Sequence, residues 1–436
     1  MILNLLRNKS FWVKDYLQGN PVKKHLKEIK TIQKNPNSSE AIHLKEDYIH
    51  KLITHAITTS DYYKKWHGAK VIQDFPVINK SVIREHFQAF ESIKFKDSKN
   101  HKVSTSGSTG LSFFLFQNKN KRHRNSADGI YFYERANYTF GNKIYKLIVW
   151  HSNNKKSNFQ AWLLNMYQWD VSHFDEKSTE EFIHLIQHDN SKKGVLQCYA
   201  SVLELIANYL EKNDLNIHSH SLNSVVAMSE FLNDFTKNTL EKRLGIPVYS
   251  RYSNEEMGML AQQTGNASKL FEINHASYNV EILNIESDTP AKEGELGRVV
   301  ITDLHNHAMP IIRYDTGDLA SFKLVDNVMY LDQVVGRKMD VIYDTNGKFV
   351  SSFITHAIFN EFYQYIQQYQ FIQQGEKAYE VRLNIGTKTF EFENALLLKI
   401  KQHFGEDADV KIIYVDEIPT LASGKRRKVI NNYIKN

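Results

Sequence analysis

From about residue 100 onward, short apolar runs rich in β-branched and aromatic residues alternate with stretches of helical periodicity, and this alternation limits the fold most. Tyr145–Trp150 and Gly194–Tyr199 have strand character. The second leads into a segment with Leu203, Ile206 and Leu210 at helical spacing. Asn223–Met228 and Ile246–Tyr249 follow, separated by an amphipathic stretch over 232–244. Strand, helix, strand order predicts a largely parallel α/β sheet. Before it, residues 1–100 read mostly as helices, with Leu26, Ile29 and Ile32 on one face and Ile49, Leu52, Ile53 and Ala56 on another. After it, runs at 278–282, 297–303, 319–323 and 328–333 predict an antiparallel β section. Val341–Val350 reads as a hairpin around Asn346-Gly347, a pair suited to a type I′ turn. Helix 351–369, strand 378–385, helix 389–404 and strand 409–415 then form a small α+β module. The expected organisation is a large N-terminal α/β domain over 1–336 and a small mobile C-terminal α+β domain over 337–436.

At 436 residues the chain exceeds one ordinary core. No apolar stretch approaches the ~20 residues of a membrane helix. The single cysteine, Cys198, excludes an intramolecular disulfide and a cysteine zinc cage, and a cytoplasmic location follows as the default. The net charge of +6 is concentrated at the ends. Residues 1–30 hold seven Lys/Arg against two Asp/Glu, and residues 421–436 hold five Lys/Arg and no acid. A nucleic-acid partner would need a basic face interleaved with aromatics, which this distribution does not resemble. The basic N-terminal segment suits either a solvated helix face or a weak contact with an anionic membrane surface.

Five segments carry candidate chemistry. Ser104-Thr105-Ser106-Gly107-Ser108-Thr109-Gly110 packs five hydroxyls and two glycines into seven positions. Such a run can cradle phosphate through backbone N–H and hydroxyl donors, or serve as a Ser/Gly linker. It is not a Walker A loop, because Leu111 follows Gly110. Arg251–Gly258 follows a strand and offers Tyr252 for stacking on a base and Glu256 for a cation. Thr316-Gly317-Asp318 suits a tight turn whose carboxylate can accept from two ribose hydroxyls. Gly336–Asp340 falls at the domain boundary, and Pro419–Lys425 opens the basic tail with a lysine after Ser-Gly. His305 and His307 would share a face of an extended chain, with no third metal ligand evident.

In order and spacing these five segments resemble the adenylate-forming superfamily of acyl-CoA synthetases, luciferases and peptide-synthetase adenylation domains. Within it the chain looks like the phenylacetate–CoA ligase-like branch, above all its capsular-polysaccharide-locus members. Tyr62-Tyr63 and Asp74-Phe75-Pro76-Val77-Ile78-Asn79-Lys80 resemble that branch's lead-in. The resemblance implies a ligase using ATP and Mg²⁺ to make an acyl-adenylate, which then passes to CoA, a carrier-protein pantetheine or an amine. It implies that Thr105, Ser106, Gly107, Ser108, Thr109 and Gly110 wrap the phosphates and that Ser229 and Glu230 line the adenine pocket. Tyr252 would stack on adenine, Glu256 bind Mg²⁺, Asp318 hold the ribose with help from Arg337, and Lys425 act in adenylation. Lys338–Asp340 would be the hinge. The chain departs from the family at Leu111-Ser112, where Pro and Lys are usual, at Glu255, where a hydroxyl is usual, and at Met339, which breaks an aspartate pair. Trp150-His151 and Tyr199-Ala200-Ser201 fall where the acid pocket is expected.

Overall fold

A computed structural model describes residues 2–105, 113–150, 155–191, 193–217, 220–265, 269–337 and 342–350. From 354 to 433 it describes all but 356–357, 360, 364, 387–389 and 420–425. The chain packs into two compact units, residues 1–142 with 249–334 and residues 143–248 with 335–436.

The first unit begins with helices Ile2–Leu17, Pro21–Lys34 and Ser39–Thr59, as the periodicity predicts. Ser38 caps the third by accepting from Ala41 N. Its strands lie in the order Tyr278–Leu283, Gly297–Asp303, Tyr314–Val325, Val328–Arg337, Phe271–Ile273, Gly258–Gln263 and Val248–Asn254. The antiparallel section is therefore larger than expected: it also includes Gly258–Gln263 and Phe271–Ile273, which are short and interrupted by polar residues. Tyr314–Val325 and Val328–Arg337 are joined by Asp326-Asn327, both left-handed, as a two-residue hairpin requires. The core beneath includes Phe75, Ile78, Phe113, Leu260, Ile301 and Ile312.

The second unit contains the parallel strands anticipated from the alternation, in the order Leu222–Met228, Gly194–Tyr199, Ile144–Ile148 and Met166–Asp170. Gly194–Tyr199 is buried along its whole length, which is why it reads as a continuous apolar run. The same unit holds a second sheet ordered Asp409–Tyr414, Ala378–Asn384, Gln368–Gln373 and Val429–Asn431, with helix Glu393–Phe404 contributing to its core. Two expectations need correction here. A helix to 369 does not form, because Gln368–Gln373 pairs with Ala378–Asn384 and buries Phe371 and Ile372. The hairpin exists, pairing Ile342-Tyr343 with Phe349-Val350, but Asp344 N donates to Lys348 O. That leaves three residues in the loop instead of a two-residue type I′ turn, and Asp344 Oδ1 holds them by accepting from Asn346 N and Lys348 N.

Candidate active site

In the first unit the segments picked out in the sequence converge with the hairpin His101–Thr105 and Phe113–Gln117. Thr105 pairs with Phe113, so the hydroxyl-rich segment connects the ends of two paired strands. Ser106 to Ser112 lie outside the described residues, as does the side chain of Thr105. Gln117, at the far end of the second strand, donates through Nε2 to the carbonyl of Glu256 at 3.0 Å.

Tyr252 and Glu256 are not on a loop after a strand ending at residue 249. The strand continues to Asn254 and turns through Glu255-Glu256-Met257 into Gly258–Gln263. Asn254 Oδ1 accepts from Met257 N at 2.8 Å and closes the turn. Beneath it, the buried pair Lys121–Asp303 (2.8 Å) supports Tyr278: Lys121 Nζ donates to the phenol, which donates to Met257 O at 2.6 Å. A polar chain inside the core thus fixes where Glu256 stands.

Thr316-Gly317-Asp318 is likewise no turn between strands. Arg298 pairs with Leu319 and Val300 with Asp315, so residues 316–318 bulge from within one strand. Gly317 has φ +78°, which only a glycine adopts freely, and nothing lies near where its Cβ would be. The bulge is pinned by Asp315 Oδ1 accepting from Gly317 N, by Arg298 on Asp315, and by Thr316 Oγ1 donating to Val299 O and accepting from Asp318 N. It aims Asp318 at Tyr252, whose hydroxyl donates to Asp318 Oδ2 at 2.7 Å. Burial and the nearby carboxylates of Asp318 and Glu256 push the Tyr252 phenol well above its ordinary value, so it stays a proton donor.

Glu256 is buried, and Lys80 Nζ lies 2.5 Å from its Oε1, with the Tyr314 hydroxyl 3.4 Å from the same oxygen. Burial and the carboxylates of Glu256 and Asp318 push the Tyr314 phenol up as well. The sequence gives Lys80 no role of its own. Its position follows from the segment before it: Ile78 N donates to Arg313 O, and Asp315 N donates to Ile78 O, stitching the lead-in beside Tyr314. Asn79 then caps helix Lys80–Glu85 through Ser81 N and Val82 N, leaving Lys80 at its first position. The ammonium also sits 5.6 Å from the ring centroid of Phe113, the strand partner of Thr105.

The second unit holds the remaining described candidates. Ser229 follows strand Leu222–Met228 with φ +73°, a left-handed residue at a strand's carboxyl end. Glu230 accepts from Ser201 N at 2.9 Å, the start of helix Ala200–Lys212, and from Arg426 N at 3.3 Å. Arg426 directly follows Lys425, which lies outside the described residues together with His151 and Lys338–Asp340. Arg337 ends strand Val328–Arg337, and its side chain is outside the description. Trp150 and Tyr199 are buried in the core of this unit, with Trp150 Nε1 donating to Trp169 O. Cys198 is buried beside Glu230, and both effects push its thiol up and away from reactivity.

His305 is buried edge-on to Tyr48, with Nε2 3.3 Å from Ala276 O. His307 meets His55 edge-on. Among the described residues no group of three or more His, Cys, Asp or Glu is placed to hold a metal, and none of the helices is long and apolar enough to cross a membrane.

Residues 342–432 match the CapK C-terminal domain family. Over 83% of its length the chain is 24% identical to Protein CapK of Staphylococcus aureus, covering 80% of that protein. A stretch of 110 residues, 24% of each chain, is 32% identical to the phenylacetate-coenzyme A ligase of Escherichia coli (strain K12). Among solved structures, 2-hydroxyisobutyryl-CoA ligase in the postadenylation state, in complex with 2-HIB-AMP, has a TM-score of 0.72 at 15% identity, over 91% of this chain and 90% of that one. ATP-bound MatB from Rhodopseudomonas palustris has a TM-score of 0.55 at 15% identity, over 75% and 66%. The chain is thus similar to Protein CapK over most of its length and to a phenylacetate-coenzyme A ligase over about a quarter of it, and it shares the fold of 2-hydroxyisobutyryl-CoA ligase.

Proposed function

We propose that the chain activates a carboxylic acid with ATP as an acyl-adenylate, releasing pyrophosphate, and passes the acyl group to a thiol (CoA or pantetheine) or an amine. Capsule, cell-surface polysaccharide or secondary metabolism is the setting this relationship suggests. The observation that carries the reading is the cluster of Tyr252, Asp318, Glu256 and Lys80 beside the ends of the hydroxyl-rich segment. Asp318, oriented by the Tyr252 hydroxyl, accepts from the ribose hydroxyls, with Arg337 assisting. The Tyr252 ring offers a stacking face for adenine, and Ser229 and Glu230 line the base pocket. Thr105 to Gly110 donate to the phosphates.

Glu256 suits magnesium: it is one buried carboxylate, and this ion takes one or two carboxylates with water and phosphate oxygens completing its shell. When bound, magnesium screens the phosphate charge and polarises the phosphorus under attack. Lys80, beside Phe113, supplies a cation in place of the one missing at Leu111-Ser112. Lys425 bridges the substrate carboxylate and the α-phosphate, neutralising the charge that would otherwise repel the nucleophile. Residues 337–436 act as the mobile domain, moving about Lys338–Asp340 to withdraw Lys425 before acyl transfer.

ATP–pyrophosphate exchange over a panel of carboxylic acids tests this. Exchange that depends on one acid and falls by about 10²–10³ in Lys425→Ala is expected. ATP binding without exchange for any acid would replace the reading with a nucleotide-binding scaffold altered at Leu111, Glu255 and Met339.

A further inference from the structure

Helix Ile2–Leu17 carries apolar side chains on two faces. Its inward face packs Phe11 and Trp12 against Phe140 and adds polar contacts: Asn8 Nδ2 donates to Phe140 O at 2.8 Å, Asn4 Nδ2 to Asn142 Oδ1 at 3.2 Å, and buried Asp15 accepts from Val22 N and Lys23 N. Its outward face is apolar. Ile2, Leu6, Val13 and Leu17 fall within about 60° of one another on the helix and are 78%, 55%, 57% and 78% exposed. A solvated helix has one apolar stripe and carries it inward, so a second stripe on the outside calls for an apolar environment there.

Charge identifies that environment. Of the two acids in residues 1–30, Asp15 is consumed in capping the next helix, and Glu28 is engaged by Arg124 and Tyr48. Of the bases, Lys30 pairs with Glu134, whereas Lys9 and Lys14 are exposed on the flanks of the stripe and Lys23, Lys24 and Lys27 on the following helix. An apolar stripe about 24 Å long, bordered by lysines, matches a helix lying in the plane of an anionic bilayer. A face meant for a second copy of the chain would bring like charges together. We propose that residues 2–17 dock the protein on the surface of anionic membranes, with Ile2, Leu6, Val13 and Leu17 entering the acyl boundary and Lys9 and Lys14 meeting lipid headgroups.

The test is co-sedimentation of the full chain with vesicles of phosphatidylcholine containing about a third phosphatidylglycerol, against phosphatidylcholine alone. Binding to the anionic vesicles is expected, weakening with salt. It should fall at least about tenfold in Leu6→Glu/Val13→Glu and about fivefold for each lysine neutralised at 9 and 14. All four side chains are exposed, so the variants keep the fold, checked by an unchanged melting temperature. No preference for anionic vesicles would overturn the proposal, as would binding that survives Leu6→Glu/Val13→Glu. A concentration-dependent dimer in sedimentation velocity, lost in that variant and without vesicle binding, would assign the stripe to a second copy instead.

Discussion

The ion pair between Lys80 and Glu256 joins the start of a short helix to a hairpin far along the chain, and the Glu256 side chain is only 5% exposed. An unpaired carboxylate there is costly, and Lys80 neutralises it. On the proposed function, the same ammonium also faces phosphate. Lys80→Met therefore removes one preorganised electrostatic contact, and the expected effect is a fall of about 10²-fold in the rate of pyrophosphate exchange, with the KM for the acid little changed. Lys80→Arg should recover part of it. Unchanged exchange in Lys80→Met, with Lys425→Ala inactive, would confine Lys80 to neutralising Glu256. Tyr252, Glu256 and Asp318 were legible in the sequence because each sits in a short motif whose order is informative. Lys80 was not, since its partner is fixed only when Ile78 pairs beside Tyr314, a contact with no local signature.

Elements with a strong period were read correctly, and those stabilised by partners were not. Gly194–Tyr199 and Glu393–Phe404 appear where their patterns place them. Gln368–Gln373 was lost because its glutamines interrupt any strand pattern, although Gln370 and Gln373 are buried with their amides spent on Arg427 O and Tyr343 O. In the same unit, Lys428 reaches back to Glu204 on helix Ala200–Lys212 and lies near the phenol of Tyr363. Burial pushes the Glu204 carboxyl up, while Lys428 counters by drawing it down; the Lys428 ammonium is raised by Glu204 and Tyr369 against its own desolvation. Glu204→Gln strands that ammonium among tyrosines, and a loss of about 3 kcal/mol in urea unfolding is expected. Faster amide exchange across Val429–Asn431 should accompany it, because that strand follows Lys428 directly. Replacing both partners with Met should return most of the loss. A double variant as unstable as the single one would show that shape, not charge, holds the segment.

Over the whole molecule, acid sensitivity is set by histidines that the first unit buries in the neutral form. His275 is held down at about 4 by burial and by nearby Lys45, from an ordinary value of 6.5. His307 is held at about 4 by burial and His55, and His305 well below its usual range by burial and the cations Arg124 and Lys121. A base depressed in the folded state is protonated first in the unfolded chain. Its contribution is therefore complete above about pH 6.5 and is lost as pH falls toward 4. Each unit of depression is worth about 1.4 kcal/mol, so moving from pH 7 to pH 5 costs roughly 2 kcal/mol for His275 alone. Carboxylates titrate mostly below this window, which separates the two effects. The His275 ring lies with Nε2 2.9 Å from Met329 O, a bond the neutral ring can donate and a glutamine amide can replace. His275→Gln should lower stability modestly at pH 7 and flatten its decline to pH 5, read as the shift in urea midpoint between the two. An undiminished decline in this variant would move the acid sensitivity to His305, held neutral by burial and the cations Arg124 and Lys121, and to His307, held neutral by burial and His55.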